Sequence, residues 1–570
     1  MVKGYIAASL CLVFGCAGAV PKPAALAAIE APGLVSPPVV QPAQETSDDW
    51  YRAGSIAAHH RGAGREPARN IILFIGDGMS LTTVAAARIL EGQRRGQSGE
   101  ENRLSFEDFG YTALSRTYNT DSQTPDSAGT TTAMIAGVKT RTGLLGVGQA
   151  AARGDCLASR SQWLASALEL AEVAGLATGV VTNTRLTHAT PAATFAHVPE
   201  RAWESDSDLS ASASTEGCHD IARQFAEFDL GDGIEVAMGG GRKNFLPAGA
   251  DDPEYAQETG ARLDGRNLIN EWQKRYRDGS YVWNLAQLRN LDLSHTHRLL
   301  GLFEPDHLKY GHDRATDTAG EPGLAEMTAT AIAVLKHNRR GFLLVVEGGR
   351  IDHAHHAGNA FRALDETIAL SDAVRVAVAA TSPSDTLVMV TADHSHTLNF
   401  VGYSRRGNPI LGKVVGASGE DASSRLASDA SGLPYTTLSY ANGPGYAGAT
   451  DQQPEGPKRF PHFVSGAQAA FSRPNLREVD TESADYLQES MIPLGSETHG
   501  GDDVGVWARG PGASAVRGSL EQNVIFHLLV QSQVDVVRLL CSMGTCEQGV
   551  PVRRPQYDQL RASTPPAQAR

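Results

Sequence analysis

Three acidic residues, Asp77, Glu347 and Asp393, each follow within two positions of the end of a short apolar run. Because ligands bind beyond the carboxyl ends of strands in a parallel sheet, the three side chains are expected to gather at that edge. A single acid after a strand is commonly a helix cap, but three carboxylates together would repel one another unless a cation held them. The pattern therefore predicts a metal centre.

Histidines near these acids indicate which metals would bind. Asp352 and His356 stand four residues apart and so share one face of a helix, while His394 adjoins Asp393. His499 lies in a later segment, before two glycines. Mixed Asp and His ligands suit Zn²⁺, whereas an all-oxygen set of carboxylates and a hydroxyl suits Mg²⁺. The sequence predicts a site that holds both.

Ser127 stands at the start of a helical stretch of small residues that reaches about Val138. The free N–H groups and the dipole of such a helix N-terminus favour an anion, although a simple N-cap serine is the common alternative. No histidine lies close in sequence, so a metal ion, rather than a local Ser-His-Asp triad, is the expected activator. Arg201 could bind two phosphoryl oxygens at once, but its spacing alone does not distinguish it from a surface arginine.

These side chains need a rigid frame, and the apolar runs at 71–75, 342–346 and 387–391 provide one. Their continuous apolar character is typical of strands buried on both faces of a parallel sheet. Helical patterns follow, as at 83–90 and 361–379. The predicted fold is an open α/β sandwich.

The composition of the 570-residue chain is that of an ordinary globular protein, with 41% hydrophobic and 20% charged residues. The formal net charge of −14 argues against a nucleic-acid-binding surface, which would need a basic face. No internal apolar run is long enough to span a membrane, so no transmembrane segment is expected in the mature chain.

The first 19 residues have the pattern of a signal peptide: Lys3 is basic, residues 5–14 are apolar, and a cleavage site follows at 17–19. A short buried helix is the alternative, but a Pro- and Ala-rich segment follows. The sequence therefore predicts export, to the periplasm or the extracellular space. Lipid attachment at Cys16 is a further alternative.

Removal of that leader would leave four cysteines: Cys156, Cys218, Cys541 and Cys546. An even number in an exported chain fits two disulfides, and the order in sequence favours pairing the first two and the last two. A zinc site is the alternative, but the spacing lacks a CxxC element.

Four segments together resemble the motifs of the alkaline phosphatase family, in the family's order and spacing. They are residues 70–79, 125–130, 346–356 and 391–396, and the resemblance extends from about residue 66 to about 546. It implies an α/β fold of the alkaline phosphatase type. Such a fold is a three-layer sandwich with a central, mostly parallel sheet and a small crown-like insertion.

The resemblance also implies a nucleophile and three metal ions. Ser127 matches the nucleophile, Arg201 the phosphate-binding arginine, and Asp126 the residue that orients this arginine. Two zinc ions and one magnesium ion are implied. The matching ligands are Asp352, His356 and His499 for the first zinc, Asp77, Asp393 and His394 for the second, and Asp77, Glu347 and Thr190 for magnesium.

Two histidines beside the implied magnesium site, His188 and His353, match the animal-type branch of the family. They imply weaker magnesium retention and faster turnover than in the best-known bacterial type, which has Asp and Lys at these positions.

The animal-type branch carries a calcium site as well, and hard oxygen ligands fit Ca²⁺. Its ligands match Glu254, Glu304 and Glu321, together with the backbone carbonyl of Phe303. The alignment at Glu321 needs a small insertion. The family's disulfides match the pairs Cys156–Cys218 and Cys541–Cys546.

The composition and the resemblance together divide the chain into five parts. These are a signal peptide at 1–19, a flexible Pro/Ala-rich linker at 20–65, a catalytic core at 66–400 and 496–546, a crown-like insertion at 400–495 and a polar tail at 547–570. In the family the insertion lies at a dimer interface, which implies a homodimer; a surface lobe is the alternative. The polar tail lacks the hydrophobic signal of a GPI anchor.

The implied activity is hydrolysis of small phosphate monoesters, through a phosphoserine intermediate and with a rate that rises into alkaline pH. A sulfatase would carry a Cys/Ser-x-Pro-x-Arg motif, which residues 127–130 lack. A phosphodiesterase often has a threonine nucleophile without the arginine. A non-catalytic metal- or phosphate-binding protein is the alternative from a different class. The physiological substrate stays open because such enzymes recognise mainly the phosphoryl group.

Overall fold

A ten-stranded sheet forms the centre of the part of the chain that the computed structural model describes, residues 45–416, 425–464 and 473–564. In spatial order its strands are β15 (Gly518–Glu521), β2 (Tyr111–Arg116), β14 (Val504–Arg509), β8 (Thr386–Ala392), β1 (Asn70–Gly76), β7 (Phe342–Gly348), β3 (Ala177–Arg185), β4 (Val236–Gly240), β6 (Leu299–Leu302) and β5 (Ser280–Val282). Pairing is parallel except at β14, which runs antiparallel to both neighbours. The mostly parallel sheet confirms the predicted α/β fold.

Helices cover both faces of this sheet, as alternate residues of β1 demonstrate. Ile71 and Leu73 belong to one buried apolar cluster with the helices Ser47–His60, Ser127–Ala136, Ala167–Val173 and Val524–Ser532. Ile72 and Phe74 belong to another with the helices Leu81–Arg94, Leu324–Leu335 and Ala360–Ala380. The fold is therefore a three-layer sandwich. The helices are α1 (Ser47–His60), α2 (Leu81–Arg94), α3 (Ser127–Ala136), α4 (Cys156–Ser159), α5 (Ala167–Val173), α6 (Ala189–Ala192), α7 (Ala211–Thr215), α8 (Ile221–Ala226), α9 (Leu268–Arg275), α10 (Leu285–Arg289), α11 (Leu324–Leu335), α12 (Arg350–His356), α13 (Ala360–Ala380), α14 (Val524–Ser532), α15 (Val534–Ser542) and α16 (Tyr557–Ala562).

Strands β8, β1 and β7 lie side by side, and their register brings the predicted acids to one edge. Ile75 of β1 lies opposite both Glu347 of β7 and Thr391 of β8. Asp77 and Asp393 each follow two residues later, just past the end of β1 and of β8. Every residue of the three strands is buried, which is the physical reason for their continuous apolar runs.

The insertion contains most of a second sheet, with β10 (Leu398–Phe400), β11 (Leu438–Gly443) and β12 (Ser490–Pro493) in that spatial order. Strand β11 begins at Leu438, after the β-branched pair Thr436 and Thr437. The chain then returns through β13 (His499–Gly500), which pairs with β9 (Ser395–His396). This pairing brings His499 back to the segment that follows β8.

Residues 47–60 correct the prediction of a flexible linker at 20–65, because they form helix α1. Thr46 caps this helix by accepting a hydrogen bond from the N–H of Asp49, and Trp50 and Tyr51 are each only 1% exposed. Gly54 allows α1 to lie against α14, since a Cβ at this position would lie 2.6 Å from the His527 ring. Burial of two large aromatic side chains stabilises a segment whose surroundings in sequence are Pro- and Ala-rich.

The polar tail predicted at 547–570 is also partly folded. Strands β16 (Cys546–Glu547) and β17 (Val550–Pro551) pair with each other. Helix α16 buries Leu560 completely, and the Tyr557 hydroxyl donates to Glu169 at 2.9 Å. These two anchors attach an otherwise polar segment to the core.

Both predicted disulfides are present, Cys156–Cys218 and Cys541–Cys546. Among the described residues, no single helix is long and apolar enough to cross a membrane. Helices α14 and α15, which are joined at a sharp bend, reach that length and apolar character only when they are taken together. The signal peptide predicted at 1–19, and Cys16 within it, lie outside the described residues.

Candidate active site

Ser127 is the first residue of α3 and lies beside the segment that follows β8. Asp126 caps the helix by accepting the N–H of Gly129 at 3.0 Å. The Ser127 hydroxyl is nearly buried and lies 3.2 Å from Nε2 of His394. A helix N-terminus attracts an anion, so the hydroxyl sits where a negatively charged group would be stabilised.

His394 connects Ser127 to two of the predicted acids. Its Nε2 lies 3.3 Å from Asp77 Oδ1 and 3.2 Å from Asp393 Oδ2. The other oxygen of Asp393 accepts the N–H of Gly78 at 3.0 Å, which fixes the direction of the carboxylate. The structure thus brings together the three residues that the resemblance assigns to one zinc ion.

A second group of buried polar atoms surrounds Asp77 and lacks hydrogen-bond partners among the described residues. These atoms are both carboxylate oxygens of Asp77, Oε1 of Glu347, Oγ1 of Thr190 and Nδ1 of His188. Burial, and next to it the negative charge of Asp393, raises the pKa of Asp77 well above its ordinary value. Burial also raises the pKa of Glu347 to about 7. Orphaned oxygens and crowded carboxylates are what a bound cation would satisfy.

A third group joins Asp352 and His356 of α12 to His499 of β13. Oδ1 of Asp352 lies 3.4 Å from Nε2 of His356 and 3.3 Å from Nε2 of His499. The Nδ1 atom of each histidine faces a backbone carbonyl, that of Glu497 for His356 and that of Pro125 for His499. Because Nδ1 carries the proton in such a bond, the Nε2 lone pairs face the site and can bind a metal.

His396 is the residue of this group to which the sequence analysis gave no role. Its Nε2 lies 2.7 Å from Asp352 Oδ1, and its Nδ1 contacts the carboxylate of Glu497. Burial opposes protonation of the ring, but Glu497 and Asp352 raise the pKa of His396 to about 10. Burial acts to raise the pKa of Asp352 as well, but the neighbouring histidines lower this pKa well below the ordinary value. The available signal was its position two residues after His394.

Arg201 contacts both the N-terminus of α3 and the Asp77 group. Nη1 donates to Asp126 Oδ2 at 3.2 Å, and Nη2 lies 3.3 Å from Nε2 of His188. With two nitrogens near the Ser127 end of α3, the guanidinium can serve as a forked donor to an anion.

Three histidines pack edge to face beside Glu347, where the sequence analysis had named His188 and His353. The ring centroids of His188 and His353 lie 5.4 Å apart, and those of His307 and His353 lie 4.2 Å apart. Burial lowers the pKa of His188 well below 6.5 and that of His353 to about 3. These rings are therefore neutral near the Asp77 group. His307, missed in the sequence, stands in the segment that follows β6.

A separate acidic cluster forms from Glu254, Glu304 and Asp317, with one carboxylate oxygen of each lying within 4.8 Å of the others. Asp317 stands where the sequence analysis placed Glu321, whose carboxylate instead accepts the backbone N–H of Lys309 at 3.1 Å. The irregular chain between β6 and α11 accounts for this difference, since alignment by spacing is least reliable where no element fixes the register. Burial raises the pKa of Glu304 to about 7.

Comparison with known proteins identifies this arrangement. A family model described as alkaline phosphatase matches residues 68–534. The chain is 44% identical to a tissue-nonspecific alkaline phosphatase of Gallus gallus over 495 residues, covering 86% of this chain and 88% of that protein. The chain belongs to the alkaline phosphatase family. An alkaline phosphatase of Gadus morhua is 43% identical over 498 residues, covering 86% of this chain and 97% of that protein.

Solved structures of alkaline phosphatases support the fold. The Thermus thermophilus enzyme has a TM-score of 0.56 at 23% identity and covers 89% of this chain and 98% of its own. The enzyme of the Antarctic bacterium TAB5 has a TM-score of 0.52 at 20% identity, with 82% and 98% covered. Hydrolysis of phosphate monoesters is the activity of the alkaline phosphatase family, and it depends on metal ions. The predicted family, fold and reaction are confirmed.

Proposed function

We propose that this chain hydrolyses phosphate monoesters with Ser127 as the nucleophile, forming phosphoserine and then releasing inorganic phosphate. One observation carries the proposal: the Ser127 hydroxyl lies 3.2 Å from Nε2 of His394, whose ring also faces Asp77 and Asp393. A hydroxyl in contact with metal-binding side chains can be activated as a nucleophile.

Two zinc ions and one magnesium ion are the cofactors that fit the site. Paired imidazole nitrogens and carboxylates suit zinc, and partnerless carboxylate and hydroxyl oxygens suit magnesium. When bound, these ions supply Lewis-acid charge that lowers the pKa of attacking hydroxyl groups and stabilises a departing oxygen. The proposed ligands are Asp352, His356 and His499 for one zinc, Asp77, Asp393 and His394 for the other, and Asp77, Glu347 and Thr190 for magnesium.

The chain's own residues bind and orient the substrate. Arg201 holds two phosphoryl oxygens, and Asp126 keeps its guanidinium in place. The Ser127 oxygen bonds to phosphorus in line as the ester bond breaks and the alcohol departs. A water oxygen then attacks the phosphoserine in the same manner, which frees Ser127 and inorganic phosphate. The N-terminus of α3 favours the anionic phosphoryl group in both steps.

His188 and His353 are proposed to weaken magnesium retention. Nδ1 of His188 belongs to the buried group around Asp77 and Glu347. A neutral imidazole brings no negative charge to that group, whereas a carboxylate in its place would attract the cation more strongly.

A calcium ion is proposed at Glu254, Glu304 and Asp317, with the carbonyl of Phe303 as a further ligand. Glu254 Oε2 and Asp317 Oδ2 are buried and have no hydrogen-bond partner among the described residues. Three carboxylates that converge in this way provide the hard oxygen ligands that Ca²⁺ prefers.

An exported homodimer is also proposed, with the insertion at its interface. Tyr403, Phe463 and Met491 of the insertion are 91%, 68% and 75% exposed, and a second copy could cover these apolar side chains. The two disulfides support an oxidising compartment.

The test is hydrolysis of p-nitrophenyl phosphate at alkaline pH, before chelation, after it, and after Zn²⁺ and Mg²⁺ are restored. We expect activity to be lost and recovered, and Ser127→Ala to abolish turnover while Thr131→Ala, in the same helix, retains it. Parallel assays with bis-p-nitrophenyl phosphate and p-nitrophenyl sulfate separate a diesterase and a sulfatase. Folded, zinc-loaded protein that hydrolyses none of these esters would contradict the proposal and favour a binding protein.

A further inference from the structure

We propose that Glu497 is a positioning residue for the site formed by Asp352, His356 and His499, where it fixes the orientation of two imidazoles. The inference rests on the proposed function, because it takes these three residues to bind zinc. It concerns a residue that follows the insertion and precedes the ligand His499 by two positions.

The carboxylate of Glu497 begins a chain of hydrogen bonds that ends at a metal-binding residue. One oxygen accepts the N–H and the hydroxyl of Thr397, each at 2.6 Å, and the other accepts Nδ1–H of His396. His396 then donates Nε2–H to Oδ1 of Asp352 at 2.7 Å. This carboxylate–imidazole–carboxylate sequence fixes the direction of Asp352 through the same oxygen that faces His356 and His499.

The backbone of Glu497 acts on a second ligand. Its carbonyl accepts Nδ1–H of His356 at 2.5 Å, and its N–H donates to the carbonyl of His356 at 2.9 Å. With Nδ1 protonated, only Nε2 of His356 can offer a lone pair, and this atom lies 3.1 Å from Nε2 of His499. Glu497 therefore acts on both the tautomer of His356 and the direction of Asp352, while the Ser496 hydroxyl lies 3.3 Å from the same Nδ1 of His356.

A direct ligand role for Glu497 is disfavoured by the same contacts. Its side chain is fully buried, and both carboxylate oxygens already accept hydrogen bonds from His396 and Thr397. A carboxylate in this state orients its neighbours rather than binding the ion itself.

The insertion holds Glu497 in place. Leu494 donates its N–H to the carbonyl of Gly443 in β11, and Thr498 donates its N–H to Asn442 Oδ1 at 3.0 Å. Gly443 has a φ of +129°, and a Cβ there would lie 3.0 Å from Cβ of Glu497. Through Glu497, the sheet of the insertion is thus linked to the orientation of the ligands.

The test is zinc affinity, measured by stepwise titration of metal-free protein in competition with a chromophoric chelator. Glu497→Gln keeps the shape and one acceptor oxygen, and Glu497→Ala removes both oxygens. We expect roughly tenfold weaker zinc binding for the first and roughly hundredfold weaker binding for the second. Glu172→Gln is the matched control, since Glu172 is equally buried but accepts its hydrogen bonds from Thr178 and Gly233.

Thermal unfolding of each metal-free variant separates positioning from packing. Zinc affinity of Glu497→Gln equal to that of the wild type would overturn the inference, even if Glu497→Ala bound zinc weakly, because shape alone would then suffice. An equal loss of zinc affinity in Glu172→Gln would overturn it as well. A wild-type protein that binds no zinc would overturn the proposed function itself, and this inference with it.

Discussion

The imidazole of His394 stacks on that of His499, with ring centroids 3.6 Å apart and ring planes inclined by 20°. In the proposed assignment these two rings bind different zinc ions, so the two proposed zinc sites lie side by side and are in contact through the stacked rings. Burial, and next to it the neighbouring His499, lowers the pKa of His394 well below 6.5. A neutral ring is what a metal requires of an imidazole, and sites this close can hold both sides of one phosphoryl group.

Replacement of Arg201 by lysine is expected to lower kcat/KM by roughly tenfold to a hundredfold. Lysine keeps the charge but cannot make the forked contact to two phosphoryl oxygens, and charged hydrogen bonds contribute about 1.5–3 kcal/mol each. Steady-state kinetics with p-nitrophenyl phosphate measures the loss. Arg153→Lys is the control, because Arg153 binds Glu200 through two hydrogen bonds in the same region. Equal kinetics for Arg201→Lys and the wild type would remove Arg201 from the substrate site.

Replacement of Lys309 by glutamine is expected to raise calcium affinity by roughly tenfold. The Lys309 ammonium lies 3.3 Å from Glu304 and 3.1 Å from the Tyr255 hydroxyl, so it competes with a cation for the carboxylates. Calorimetric titration of calcium into metal-free protein provides the measurement. Lys336→Gln, on the exposed end of α11, should leave the affinity unchanged. Weaker calcium binding in Lys309→Gln would mean that the lysine supports the site.

Stability is expected to fall with rising pH through the titration of His197. Burial opposes its charge, but contact with Glu169 at 2.9 Å raises the pKa of His197 above 6.5. The folded state therefore retains a proton that the unfolded state has lost. The stabilisation is complete below pH 6.5 and is lost as the pH rises through the raised pKa of His197. Between these two values the free energy of unfolding falls by up to about 1.4 kcal/mol per pH unit.

Thermal unfolding of His197→Asn across this pH range should show a smaller slope than the wild type. The same measurement on His295→Asn, which removes an exposed imidazole instead of a buried one, provides the control. Identical slopes for His197→Asn and the wild type would show that another group carries the dependence.

Trp50→Ala is expected to lower the free energy of unfolding by about 3–5 kcal/mol, because a buried tryptophan leaves a large cavity. Trp50 belongs to the apolar cluster between α1 and α14, and its carbonyl accepts Asn523 Nδ2 at 2.9 Å. Chemical unfolding measures the change, and Arg52→Ala, on the exposed side of α1, should cost less than 1 kcal/mol. A negligible effect of Trp50→Ala would restore the prediction that this segment is a linker.

The sheet and its acids could be predicted from the sequence because one physical cause produces both signals. Strands buried on two faces read as continuous apolar runs, and Asp77, Glu347 and Asp393 follow them directly. Ser127 could be placed at a helix N-terminus for a similar reason, since the small residues that follow it are entirely buried. Local pattern and tertiary position agree at these residues.

His396, Asp317 and α1 show where that agreement fails. The role of His396 depends on Glu497, which is brought near only by the return of the chain after the insertion. Asp317 lies in an irregular segment, where four residues of offset from Glu321 cannot be resolved by periodicity. For α1 a signal was present, since residues 50, 51, 54, 55 and 58 are buried at helical spacing. The neighbouring prolines and alanines obscured it.

The proposed metal ligands span the chain from Asp77 to His499, and this spacing governs when the site can exist. A nascent or unfolded chain offers Asp77 long before it offers His499. The zinc site proposed at Asp352, His356 and His499 also needs the chain to return from the insertion, because Glu497 and His499 both follow it. The site proposed at Asp352, His356 and His499 is thus the last of the proposed metal sites to be completed in chain order, because the donors of the others all precede residue 395.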